Sequence, residues 1–198
     1  SVVLSGGRGE RLRHFVRETF GLETPKQYVA FMGRRSMFQH TVDRAAMFAS
    51  EERILAVADA RHGELVGHQL RGRLAGRVLL QPENRETAAG VMLPLAHILR
   101  RDPEAVVAFL PSDHFILEED RFMRQVAEAA AAAACTDGGV VLLGLRPQAP
   151  ESEYGWIEPG PALACPRPCG LRTVRRFIEK PRPAEAALSF RRGYLWNS

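Results

Sequence analysis

The sequence predicts an α/β domain with a largely parallel sheet covered by helices. Three observations carry that prediction. Short apolar runs alternate with helix-spaced segments in a βαβαβαβαβ order, which favours parallel strands joined by crossover helices. A glycine-rich turn, Ser5-Gly-Gly-Arg-Gly-Glu-Arg11, directly follows the first apolar run. Beyond Arg146 the texture changes to two strand-like runs around a loop rich in Pro, Gly and Cys, as expected of an antiparallel excursion over one sheet edge.

The elements follow in order. Val2–Leu4 reads as a short buried strand, succeeded by the glycine turn and a polar, Arg-rich stretch. Ser36–Phe48 has apolar residues at Met37, Phe38, Val42, Ala45 and Ala46, a helical spacing. Ile54–Ala58 is a strand, Glu64–Leu70 suits a helix, and Arg77–Leu80 is another strand. Thr87 can cap a helix running through Leu99, which Pro94 is expected to kink or break. Ala105–Leu110 is a buried strand with Pro111-Ser-Asp-His114 at its end, and Asp120–Cys135 is an alanine-rich helix. Asp137-Gly-Gly turns into a strand at Val140–Leu145. Tyr154–Glu158 and Thr173–Ile178 form the excursion, and Pro183–Arg191 is the last helix. The chain begins without Met and stops at Trp196-Asn-Ser198 in mid-element, so further residues are expected at both ends.

At 198 residues, one domain is expected. No run approaches a membrane span and no signal peptide opens the chain. The basic residues behind the net charge of +4 are mostly arginines, scattered apart from clusters at Arg8–Arg17 and Arg172–Arg176 and without interleaved aromatics. This argues against a nucleic-acid surface and leaves either a solvated arginine-rich surface or, as the functional candidate, sites for small anions such as phosphates. Three cysteines cannot all pair, and their number suggests a reducing compartment. Cys165 and Cys169 make half a zinc site at most and read as free thiols in a Pro-rich loop.

Open parallel sheets bind ligands at the carboxyl ends of their strands. The glycine turn stands at one such end, where curled backbone and the neighbouring Arg8 and Arg11 suit an anion. It is neither a Walker A loop nor a dinucleotide fingerprint, since Leu12 occupies the third glycine position. Asp113 stands at a second strand end, either as a hard ligand for Mg²⁺ or as a cap or turn residue. His114 beside it reads as structural. Lys26 and Lys180 are the only lysines among 27 basic residues. Each is either a compact point charge retained for a purpose or an ordinary surface lysine. No G-x-S-x-G, H-E-x-x-H or Cys–His pair is present. A nucleophile that arrives ionised, such as a sugar phosphate with a second pKa of about 6, needs none of them.

Six ordered motifs then carry a resemblance. Ser5-Gly-Gly-Arg-Gly-Glu-Arg-Leu12 followed by Pro25-Lys-Gln27 resembles the G-G-x-G-x-R-L…P-K-Q signature of bacterial mannose-1-phosphate guanylyltransferases. Gln81-Pro-Glu-Asn-Arg-Glu-Thr-Ala88 is similar to that family's E-P-x-x-R-N-T-A, and Leu110-Pro-Ser-Asp-His114 to its metal-site strand end. Tyr154-Gly-Trp-Ile-Glu158, Phe177-Ile-Glu-Lys-Pro181 and Trp196-Asn-Ser198 resemble Y-G-Y-I-E, F-x-E-K-P and the start of W-N-S-G.

The resemblance implies a Rossmann-like three-layer nucleotidyltransferase fold with a mainly parallel mixed sheet. It implies that Gly6, Gly7, Gly9 and Arg11 hold a triphosphate, that Lys26 neutralises the α-phosphate, and that Asp113 binds Mg²⁺ as the cofactor. Gln81, Pro82 and Arg85 would lie near the base. Gly155, Glu179 and Asn197 would hold sugar hydroxyls, and Lys180 the sugar phosphate. The implied partners are GTP and mannose-1-phosphate, in a cytoplasmic enzyme for which a homo-oligomer is compatible with the sequence. A relative using another hexose-1-phosphate or nucleotide, or a non-catalytic regulatory subunit, shares much of this pattern. His14, Glu86 and Gly90 stand where the family has Pro, Asn and Pro, so the base-binding loop is expected to differ in shape. The family's second metal-binding Asp is expected beyond Ser198.

Overall fold

β1 (Val2–Ser5) is the strand around which the first part of the chain is organised. It pairs in parallel with β2 (Leu55–Asp59) on one side and β4 (Phe109–Pro111) on the other. β3 (Val78–Gln81) adds to β2, so the four-stranded parallel sheet has the order β3-β2-β1-β4. The computed structural model describes residues 1–7, 10–83, 85–136, 139–163 and 170–197; of Glu10, Arg11 and Glu86 it describes the backbone. The chain packs as two compact units, Ser1–Arg124 and Gln125–Ser198.

In the first unit, helices cover the sheet and the runs that form β1 and β2 are the most buried, whereas Leu80 in β3 is 45% exposed. All five residues of β2 are buried. Val2, Leu55 and Val57 form a core cluster, packed by Leu79, Ile98 and Phe109 among others. β4 is shorter than the run Ala105–Leu110 suggested, because β1 offers only four residues to pair with; Ala108 contributes one bond, accepting from Val2 N at 2.8 Å.

The Arg-rich stretch after the glycine turn forms a helix, α1 (Glu10–Phe20), whose Val16 is fully buried. α2 (Met37–Phe48) opens on a capping box. Ser36 Oγ accepts from Gln39 N at 3.1 Å and Gln39 Oε1 accepts from Ser36 N at 3.0 Å. α3 is Gly63–Leu70. α4 (Glu86–Leu99) starts one residue before Thr87, with Arg85 at its boundary, and runs through Pro94 without breaking. Pro94 forfeits one helical bond, which the rest of the helix tolerates. α5 is Glu119–Ala134.

The second unit holds an antiparallel sheet of β5 (Gly155–Ala162), β6 (Arg172–Ile178) and β7 (Leu195–Asn197), in the order β6-β5-β7. α6 (Pro183–Arg191) has Pro at its first turn, where a missing N–H costs nothing. Trp156, Ile178, Ala186 and Tyr194 form the core, with Trp196 packed against it. Trp156 Nε1 donates to Glu151 O at 2.8 Å.

The strand expected at Val140–Leu145 is corrected by the structure. Among the described residues that segment makes one bridge, Leu145 to Trp196, and no ladder. Val140 is 85% exposed, so the apolar run lacks the two covered faces that a parallel strand requires. The turn at Asp137-Gly138, the thiols Cys165 and Cys169, and Ser198 lie outside the described residues. Cys135 is a free, exposed thiol. No described helix is long and apolar enough to cross a membrane.

Candidate active site

Parallel strands bring their carboxyl ends to one edge, and here that edge carries Ser5 closing β1 with Gly6-Gly7 after it, Asp59 closing β2, Gln81 closing β3 and Asp113 after β4. The strand order places the glycine turn between the end of β2 and the end of β4.

Lys26 and Asp113, separated by 87 positions in the numbering, meet directly: Lys26 Nζ is 2.8 Å from Asp113 Oδ2. Both side chains are about one-third exposed, 32% and 34%, so the pair opens to solvent. Burial opposes ionisation of Asp113, but the hydrogen bond and charge of Lys26, helped by His114, outweigh it and hold the carboxyl below its usual range. His114 Nε2 lies 3.8 Å from Asp113 Oδ1. Burial pushes the His114 imidazole down, against the opposing pull of the Asp113 charge.

Lys26 sits in a 3-10 turn, Lys26–Tyr28, entered from Pro25 in an extended conformation. Gln27 and Tyr28 point inward and bond the glycine turn: Gln27 Nε2 donates to Ser5 O and Gly7 O, and the Tyr28 hydroxyl donates to Ser5 O. Gly6 lets the end of the Gln81 side chain approach closely, since a Cβ there would lie 2.8 Å from Gln81 Oε1. Gly7 has open space around it. Gln81 is buried against this turn, whereas Pro82 is exposed and Arg85 reaches into solvent with Glu83 at 3.4 Å. Gly9 lies outside the described residues, as does the side chain of Arg11.

In the second unit the structure gathers three residues of widely separated motifs. Gly155 pairs with Asn197 across β5 and β7. A Cβ on Gly155 would lie 2.8 Å from Phe177 Cζ, 3.1 Å from Glu179 Oε2 and 3.4 Å from Asn197 Cβ. Glycine here therefore lets an aromatic ring, a carboxylate and an amide-bearing residue close in on the β5 backbone. Lys180 follows in the left-handed region at φ 41°, a conformation that costs a non-glycine residue about 1 kcal/mol. Its Nζ is 3.7 Å from Glu179 Oε1, and both side chains are exposed.

Three features of the first unit escaped sequence reasoning. Asp59 is 1% exposed and receives three bonds from Arg61, from its backbone N, Nε and Nη2 at 2.9, 2.9 and 2.6 Å. Those bonds, against the penalty of burial, hold its carboxyl down at about 2. The signal that singled out Asp113, a carboxylate ending an apolar strand, applies equally to Asp59. Arg44 is 2% exposed on α2 and ties down the segment after β4, donating to His114 O at 3.1 Å and to Glu119 Oε1 at 2.9 Å. An arginine within an apolar helical face is the only sequence trace of it. Gln27 was visible as part of a motif but not as a brace, and Tyr28 was not singled out. A groove of about 640 Å³, lined by Met37, Met47, His114, Phe115 and Leu117 among others, lies beside the Arg44 contacts; neither Lys26 nor Asp113 lines it.

No described cluster offers three or more His, Cys, Asp or Glu side chains to a metal. One half-open, ionised carboxylate suits Mg²⁺, which keeps several waters and is commonly held by one or two carboxylates together with substrate phosphates.

The family model of nucleotidyl transferases matches residues 1–198. The chain belongs to the nucleotidyl transferase family. Among relatives of this nucleotidyl transferase chain, the xanthan biosynthesis protein XanB of Xanthomonas campestris pv. campestris (strain B100) is 37% identical over 200 residues, covering 100% of the chain and 40% of that protein. A mannose-1-phosphate guanylyltransferase of Escherichia coli is 32% identical over 200 residues, covering 100% of the chain and 41% of that protein. The chain therefore spans about two-fifths of the length of these relatives. A crystal structure from Thermus thermophilus, described as a mannose-1-phosphate geranyltransferase, superposes with a TM-score of 0.80 at 35% identity, covering 99% of the chain and 54% of that structure. The expected α/β nucleotidyltransferase fold and the resemblance to mannose-1-phosphate guanylyltransferases are both borne out.

Proposed function

We propose that this chain transfers GMP from GTP to mannose-1-phosphate, giving GDP-mannose and pyrophosphate. The observation that carries nucleotidyl transfer is the Lys26–Asp113 pair at 2.8 Å beside the glycine turn, at the carboxyl edge of the sheet. The sugar and base are inferred from the relatives named for mannose-1-phosphate and from the six motifs.

The sugar phosphate brings its own ionised oxygen, so no general base is required. That oxygen bonds to the α-phosphorus of GTP, the bond to the bridging oxygen of the β-phosphate breaks, and pyrophosphate departs with the electron pair. The protein's task is alignment and charge neutralisation. Gly6, Gly7 and Gly9, with Arg11, would cradle the triphosphate, and Lys26 would turn from Asp113 to the α-phosphate. Gln81, Pro82 and Arg85 would border the base. Gly155, Glu179 and Asn197 would take the sugar hydroxyls, and Lys180 the sugar phosphate. Asp113 would hold Mg²⁺, which supplies further neutralisation of phosphate charge.

Pyrophosphate release by the whole protein, with Mg²⁺, across four nucleoside triphosphates and several hexose-1-phosphates tests this. Release confined to GTP with mannose-1-phosphate is expected. Release with another pair replaces the substrates. Silence from folded protein that still binds nucleotide sugar replaces the enzyme with a regulatory subunit.

Gly155→Ala is expected to raise KM for the sugar phosphate several-fold while KM for the nucleotide stays within about 2-fold, because the new methyl pushes Phe177 and Glu179 from their places beside Asn197. Initial rates with each substrate varied in turn check this; equal KM values would take Gly155 out of the sugar site.

A further inference from the structure

Gln27 joins two parts of the candidate site that the sequence presents separately. Its Nε2 donates to Ser5 O at 3.2 Å and to Gly7 O at 2.7 Å. A carboxamide nitrogen has two N–H donors, so both are engaged by carbonyls of the glycine turn. Two carbonyl partners also fix which way round the amide sits, because an amide oxygen in that place would face two other oxygens. Gln27 is 2% exposed, so a lost bond there is not replaced by water. Tyr28 adds a third bond to the same turn, its hydroxyl 3.1 Å from Ser5 O. Burial pushes the Tyr28 phenol up to about 12, so it stays a neutral donor through the physiological range.

Both residues belong to the single 3-10 turn that begins with Lys26. Carbonyls cannot bind phosphate, and holding those of Ser5 and Gly7 against Gln27 keeps them on the protein side of the turn. The same bonds set the spacing between the glycine turn and the backbone of Lys26. A catalytic cation displaced by about 1 Å can cost about 10²-fold in rate with little change in substrate binding.

We propose that Gln27 is a positioning residue, whose bonds to Ser5 and Gly7 fix Lys26 relative to the glycine turn and so govern alignment for transfer more than nucleotide affinity. The proposal rests on the nucleotidyl-transfer reading above. A buried glutamine that merely stabilised the fold would act whether or not Lys26 were present; a positioning residue acts through Lys26.

A double-mutant cycle on the whole protein separates these. kcat and KM are measured, with the substrate pair the wild type uses, for Gln27→Met, Lys26→Ala and the double variant. Met keeps the side-chain length and removes both donors. Gln27→Met is expected to lower kcat about 10- to 100-fold with nucleotide KM within about 3-fold. In the Lys26→Ala background it is expected to lower kcat by less than about 3-fold. The same loss in both backgrounds, or none in either, overturns the proposal. Should Gln27→Met fail to fold, Tyr28→Phe, which removes one bond and keeps the ring, enters the same cycle with the same criterion. A wild type silent on every substrate pair would defeat the nucleotidyl-transfer reading instead. The positioning claim is then decided by the Lys26 Nζ resonance in NMR spectra, which is expected to shift in Gln27→Met and, if unmoved, overturns it.

Discussion

Asp113→Asn is expected to reduce Mg²⁺-dependent turnover about 10³-fold while leaving the fold intact. The substitution preserves shape and removes one negative charge. A metal ion at a phosphoryl centre contributes several kcal/mol of charge stabilisation, and each 1.4 kcal/mol is about tenfold in rate, so losing its protein ligand has about that consequence. The structural cost is small. Asp113 and Lys26 are each about one-third exposed, and a solvent-facing pair of that kind is worth about 1 kcal/mol or less. Turnover titrated against Mg²⁺, alongside a thermal melt, checks both halves. Activity within about 2-fold of wild type, at any Mg²⁺ concentration, would make Asp113 a turn residue paired with Lys26 and no more.

Lys26→Ala is expected to lower kcat about 10²- to 10³-fold, the loss that follows removal of one preorganised electrostatic contact at a reacting centre. Lys26→Arg is expected to restore little. A guanidinium is planar, longer and forked, whereas the site holds a compact ammonium 2.8 Å from a single carboxylate oxygen. Stability should change by less than about 1 kcal/mol in either variant. Single-turnover rates, which isolate the chemical step from product release, are the appropriate readout. Unchanged rates would return Lys26 to the status of a surface lysine.

Much of the architecture was legible because it depends on local pattern. The strands at Val2–Ser5 and Leu55–Asp59 are apolar up to their last residue, as expected where both sheet faces are covered. The α2 start was legible in Ser36 and its helical spacing, and the α6 start in Pro183. What failed needed knowledge of partners. Val140–Leu145 has a strand's composition, yet it gains a single bridge because no neighbouring ladder extends to it. α1 is rich in arginine and, among its described side chains, buries only Val16, so it carries little apolar periodicity to see.

For the candidate site, strand-end logic pointed to the glycine turn and Asp113, and the scarcity of lysine pointed to Lys26. Only folding could reveal that Lys26 and Asp113 touch. The brace formed by Gln27 was invisible for a different reason, since its partners are backbone carbonyls, which carry no sequence signature. Asp59 was missed although it obeys the same rule as Asp113. Its carboxylate is fully engaged by Arg61, whereas that of Asp113 stays half-open, a difference of surroundings that strand position alone does not express.

The most direct test of nucleotidyl transfer by this protein is mass spectrometry of the products formed from GTP, mannose-1-phosphate and Mg²⁺. GDP-mannose and pyrophosphate in equal amounts are predicted. GDP with inorganic phosphate, or no product from folded protein that binds GDP-mannose, would contradict it.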